Sequence, residues 1–356
     1  MDNNQLVRKQ PRLVGLDVFR IVSALMIFLF HSAGHLGCDY GVFQEFVQMG
    51  AIFMTGFFLL SGYSLYYVHG CDDFTSLHTV KSFYAKRAIG ILPLYFATAL
   101  LYILFLGTES PIENVVLAPV ELLGIQSVFV ALDQTSHNGG TWFVSCILLC
   151  YLVFPFATLC IRQMSEKGKW GLLGLCSFIL LYSPFVRRLF ELHTIYGNPF
   201  FRILEFTIGV ILAACKMNTE RFRFLYTKRV CLLESILLFI GVTIAFKLGI
   251  AQYDYMLYSW VGLPAFCLMM LSLSHTKWPR LQNARVLTYL SAITYSFFLA
   301  QFFVWPLVRK VGIHNNVVRI LVAFMVCFVI AAVFHACVEK PCKRVLTIWL
   351  FKSVRK

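Results

Sequence analysis

The chain has 356 residues, 59% of them hydrophobic, 16% aromatic and only 13% charged, with a formal net charge of +14 and a mean hydropathy of +0.74. These values exclude a soluble globular domain. The basic excess does not indicate nucleic acid either, because it gathers in short loops between apolar segments of membrane-spanning length, the distribution that orients a polytopic protein.

Residues 1–12 read as a short polar tail. The first apolar segment, 13–34, follows without a small-residue cleavage site and is expected as a retained span. Further spans are expected over 43–68, from Lys86–Arg87 to about 106, and over 142–161, 171–186, 201–215, 230–248, 255–273, 287–307 and 317–338. Between the third and fourth, the stretch 115–132 is interrupted by Pro119, Glu121 and Gly124. It is read as a re-entrant or interfacial segment, since irregular backbone at membrane depth needs protein or water against it. The expected fold is all-α: a polytopic bundle of about ten transmembrane helices plus that segment, one domain over 13–338 between tails 1–12 and 339–356. In this topology 23 of the 31 Lys and Arg residues fall in the tails and loops of one side. That side is cytoplasmic by loop charge, with both termini on it. The twelve cysteines are scattered, without CxxC pairs or zinc-type spacing, and read as small buried hydrophobes. No metal is expected, and no internal repeat is visible.

The first span carries the chemistry of interest. Asp17, Arg20 and His31 lie within one apolar run, and ionisable residues in a span are costly and mark functional sites. Arg20 and His31 are eleven positions apart. That is about three turns plus ~20°, so they share a face, roughly 16 Å apart along the axis. His35 continues the face one turn on. Asp17 is a ready i−3 partner for Arg20, and a neutral imidazole is the natural base for a hydroxyl.

The stretch GLDVFRIVSALMIFLFH (15–31) resembles the first-helix signature of the membrane acyltransferase-3 family, whose multi-pass members O-acylate surface sugars. Six further stretches resemble that family in order: FFLLSGYSL (57–65), FYAKRAIGILPLYF (83–96), NGGTWFVSCILLCYLVFP (138–155), RILEFTIGVIL (202–212), LSAITYSFFLAQ (290–301) and FHACVEKP (334–341). Three positions depart from the family pattern: Gly90 stands where a second Arg is usual, Cys146 where a Glu is usual, and Gln301 where a His is common.

The resemblance implies an O-acyltransferase, with acetyl-coenzyme A in the cytoplasm as donor and a hydroxyl of a surface or lipid-linked polysaccharide as acceptor. His31, with Asp17, is the candidate catalytic group, either as base or as transient acyl carrier. Arg20, Lys86, Arg87, Ser61, Tyr63 and Trp142 are the candidate donor-binding residues. His35, Arg202 and Glu205 are candidates on the acceptor side, although Arg202 and Glu205 at i and i+3 also make a simple structural ion pair. The partners implied are membrane lipid and a saccharide or lipid-linked oligosaccharide. The alternative is a transporter or flippase for such a sugar, with the same ionisable groups lining a permeation path.

Overall fold

The computed structural model describes residues 10–107, 110–129, 140–192, 194–215, 223–225, 227–249 and 258–352. Among these the chain is helical, without β-strands. In order the helices are α1 (Val14–Leu36), α2 (Gln44–Gln48), α3 (Phe53–His69), α4 (Leu77–Phe105), α5 (Pro111–Leu123), α6 (Thr141–Gln163), α7 (Glu166–Leu189), α8 (Pro199–Ala214), α9 (Lys228–Lys247), α10 (Leu263–His275), α11 (Arg285–Val311), α12 (Asn316–Phe334) and α13 (Lys340–Lys352). Polar caps start several of them: the side chains of Ser165, Asn198, Thr227 and Asn315 accept the first free N–H groups of α7, α8, α9 and α12, donors that have no intrahelical partner.

Each expected span is helical where described, and the chain is a polytopic helical membrane protein. Among the described residues, eight helices are long and apolar enough to cross a membrane. The other two expected spans are α8, with 16 residues, and α10, with 13 residues after a π turn at Tyr258–Gly262; the expected start of the latter, at 255, lies outside the described residues. Sixteen residues rise only ~24 Å, less than a hydrocarbon core of ~30 Å. α8 lies in the interior, with Phe206, Ile208, Val210 and Ile211 almost wholly buried. Its neighbour α3 approaches very closely. A Cβ on Gly62 would lie 1.9 Å from the Phe206 carbonyl oxygen, and one on Gly209 would lie 2.1 Å from that of Leu59. The two backbones meet where both helices lack side chains, the usual way helices pack tightly without a hydrophobic driving force.

The interrupted stretch before the fourth span forms α5 and ends at Gly124, whose φ is +63°. The chain then turns back on α6. Gln126 Nε2 donates to the Thr141 carbonyl at 2.9 Å and Ser127 Oγ to that of Trp142 at 2.9 Å. Residues 130–132 of the expected segment, and Asn138 and Gly139 of the fourth motif, lie outside the described residues. At the other end, the region expected as a tail from 339 continues α12 through a π turn, His335–Glu339, into α13. α13 packs against α4. The cysteines are all free.

Candidate functional site

α1 and α11 run side by side in the same direction, and their facing side chains define the site. At the start of both helices Asp17 is the hub. Its Oδ2 accepts from Arg12 Nε at 2.5 Å, and its Oδ1 accepts from Ser291 Oγ at 2.6 Å and Arg20 Nη1 at 3.4 Å. The same Arg20 nitrogen also donates to Ser291 Oγ at 3.1 Å. Asp17 therefore orients a cation, and it lies ~21 Å along α1 from His31 by helix rise. No contact joins it to His31 among the described residues. The local i, i+3 pairing with Arg20 is present, in a cluster larger than the local sequence contains.

Beyond Arg20 a cavity of about 320 Å³ opens between α1, α3, α4, α6 and α11. Arg20, Ser61, Tyr151, Ser291, Glu339 and Lys343 are among the polar side chains that line it. Gly90 is part of its wall, and a Cβ there would meet nothing within 4 Å. The absence of a side chain at 90 thus adds room. A cation from far along the chain, Lys343, reaches the same space. It is tethered by Glu339, which also accepts from His335 Nδ1 at 2.7 Å and Ser296 Oγ at 2.9 Å. On α11 the lining residues Ser291, Thr294, Tyr295 and Phe298 recur at helical spacing, and the stripe ends on Phe143 and Phe298, whose rings are 5.5 Å apart.

The lining residue Phe298 also packs on His31, at 6.4 Å between ring centroids, and His31 itself does not line the cavity. His31 is half-buried, with the Phe302 and Trp305 rings also against it at 5.6 and 6.5 Å. Its Nδ1 is 2.8 Å from Gln301 Oε1. An amide oxygen only accepts, so Nδ1 carries the proton and Nε2 keeps the lone pair. His35 is exposed and lies flat on Trp305, with centroids 5.8 Å apart and planes 9° from parallel. The Arg309 guanidinium donates to the His35 carbonyl at 2.5 Å.

The remaining predicted residues lie in other settings. Lys86 is exposed on α4. Arg87 sits one layer behind the cavity wall, over the ring of the lining residue Tyr151 at 6.0 Å. It donates to His69 Nε2 at 3.4 Å, whose Nδ1 in turn donates to Asp72 Oδ2 at 2.7 Å. Ser61 lines the cavity, whereas Tyr63, two residues on, faces away and donates to Ser274 Oγ at 2.9 Å. Trp142 packs on Tyr196, at 4.6 Å, and on the Arg202 guanidinium, at 5.6 Å. Arg202 and Glu205 are 3% and 6% exposed. Their 2.7 Å ion pair is completed by Thr55 Oγ1, which donates to Glu205 at 2.9 Å, and by the Tyr196 carbonyl, which accepts from Arg202 Nε at 2.7 Å. This is a satisfied buried pair joining α8 to α3, and it stands apart from the residues that line the cavity. Sequence reasoning passed over Ser291, Tyr151, Lys343 and the bond between Gln301 and His31. The only signal for the first of these was the helical spacing of 291, 294, 295 and 298. Among the described residues, no three His, Cys, Asp or Glu side chains gather closely enough to hold a metal ion.

Comparison with known proteins accords with this geometry. The chain is similar to acyltransferase MdmB of Streptomyces mycarofaciens, 27% identical over 231 residues, which are 58% of this chain and 57% of that protein. The chain thus spans little more than half the length of that curated relative. No solved structure matches it. The acyltransferase-domain family matches from residue 13 to residue 336, a stretch that contains Asp17, Arg20, most of the cavity wall and His31, and the chain belongs to that acyltransferase-3 family.

Proposed function

We propose that this chain is an integral-membrane O-acyltransferase. It takes an acyl group, acetyl in the simplest case, from acyl-coenzyme A on the cytoplasmic side of the cell membrane and delivers it to a hydroxyl of a surface or lipid-linked saccharide at the other side. The observation that carries the reading is the order of groups along α1 and α11: cations at one end, a cavity in the middle, and, beyond Phe298, an imidazole with a free lone pair. Coenzyme A brings phosphates, which guanidinium and ammonium groups bind well. Arg20 and Lys343 supply those groups beside the cavity. The space suits the acyl-bearing arm, with the nucleotide part outside the mouth. His31 Nε2 accepts the proton of the acceptor hydroxyl as the new C–O bond forms. The bias of basic residues toward the Arg20 side supports a cytoplasmic donor and cytoplasmic termini.

The test is mass spectrometry of the surface polysaccharide from cells with the intact protein, with His31→Ala, or without the protein. Acyl substituents are expected only with the intact protein. Normal acylation by His31→Ala would overturn the assignment of the base. Purified protein that neither binds nor consumes acetyl-coenzyme A would favour sugar transport instead.

A further inference from the structure

Gln301 is fully buried, yet only half of its amide is used. Oε1 accepts from His31 Nδ1 at 2.8 Å, while Nε2, with two N–H groups, has no acceptor among the described residues. Trp305, one turn further along α11, is 2% exposed. Its indole N–H is likewise unpaired, and its ring meets His31 nearly edge-on, at 6.5 Å and 71°. A buried donor without an acceptor costs ~1–3 kcal/mol, and native interiors leave few of them. Here two such donors stand on successive turns of one helix, both against the same imidazole. Packing alone gives no reason for that.

The geometry points to Gln301 Nε2–H and Trp305 Nε1–H as donors to the oxygen that becomes negative when a thioester carbonyl is attacked beside His31. The inference rests on the acyl-transfer reading and adds two catalytic residues to it. In the step, the acceptor O–H bond breaks and its proton passes to His31 Nε2. The acceptor oxygen bonds to the thioester carbon, and the carbonyl electron pair moves onto its oxygen, which the two N–H groups receive. The pair then returns, the C–S bond breaks, and the thiolate takes the proton from His31. The products are the ester and free coenzyme A. Donors held in place in a water-poor interior stabilise such an oxyanion without reorganising. The two halves of the Gln301 amide thus have separate tasks: Oε1 sets the His31 tautomer, and Nε2 binds the charge that the tautomer helps create.

The experiment uses the full-length protein in detergent with acetyl-coenzyme A as probe and water in place of the acceptor hydroxyl, reading the Kd of the probe and the release of free thiol by its hydrolysis at saturation. Gln301→Met is expected to lower the saturated rate by about 10²–10³ with an unchanged Kd. Gln301→Glu keeps an acceptor for Nδ1–H and removes the N–H donors, so it is expected to be as slow as Gln301→Met. Trp305→Phe keeps the ring and loses the indole N–H, and is also expected to be slow at saturation. A wild-type saturated rate in Gln301→Glu or Trp305→Phe overturns the inference. So does a loss of rate matched by an equal loss of probe binding, which would make these side chains merely structural. A wild-type protein that ignores the probe brings down the acyl-transfer reading itself, and the inference with it, a result distinct from any of the variant outcomes.

Discussion

The crossing of α3 and α8 makes a sharp prediction about a single methyl group. In Gly62→Ala the new Cβ falls 1.9 Å from the Phe206 carbonyl oxygen, where ordinary contact begins at 3.4 Å. The obstacle is backbone, so no side-chain rotation relieves it, and α8 must retreat by about 1.5 Å. That retreat opens the 2.9 Å bond from Thr55 to Glu205, a bond to a buried charged group that is worth ~1.5–3 kcal/mol. With ~1–3 kcal/mol for overpacking, the expected destabilisation is roughly 3–5 kcal/mol. Gly90→Ala is the matched control, because its Cβ meets nothing within 4 Å and Ala is the better helix former by ~1 kcal/mol. Thermal unfolding in detergent, followed by the fluorescence of the six tryptophans, should show Gly62→Ala melting well below wild type and Gly90→Ala at or above it. Gly209→Ala should match Gly62→Ala, and the double variant should cost less than the two together, since both strain one crossing. Co-melting of Gly62→Ala with wild type would refute the argument that this backbone contact holds α8 in place.

Other outcomes concern the site and its supports. Arg20→Ala should weaken acetyl-coenzyme A binding, whereas His31→Ala should abolish turnover and leave that binding intact; calorimetric titration of both variants separates the two roles. Gly90→Phe should fill the cavity, lowering affinity for acetyl-coenzyme A without lowering the melting temperature. Glu205→Ala should cost ~3–5 kcal/mol, because it leaves Arg202 charged and buried. The double change Arg202→Met with Glu205→Leu should recover part of that loss, as measured by unfolding of the same preparations.

Much of the architecture was legible before any fold was known. Runs of about twenty apolar residues can only cross a bilayer as helices, because backbone N–H and C=O groups find no partners in lipid. The stretch 115–132, broken by Pro119, Glu121 and Gly124, is likewise no span: a short helix ends at Gly124 and the chain turns back on α6. The pairs Asp17–Arg20 and Arg202–Glu205 were legible because residues three apart on a helix must face one another. One boundary was not. Nothing local marks the continuation through the π turn into α13, which brings Lys343 to the cavity.

The site divides in the same way. That Arg20 and His31 share one face follows from helix pitch alone. What each of them touches does not. Ser291 reaches Asp17 across 274 residues, and Gln301 reaches His31 across 270. Trp142, Tyr63 and Arg202 looked like site residues by motif, yet pack elsewhere in the bundle. Periodicity within a segment states which side chains share a helix face. Which faces meet is settled only when the helices close against one another, as α3 does on α8 at Gly62 and α1 on α11 where His31 meets Gln301.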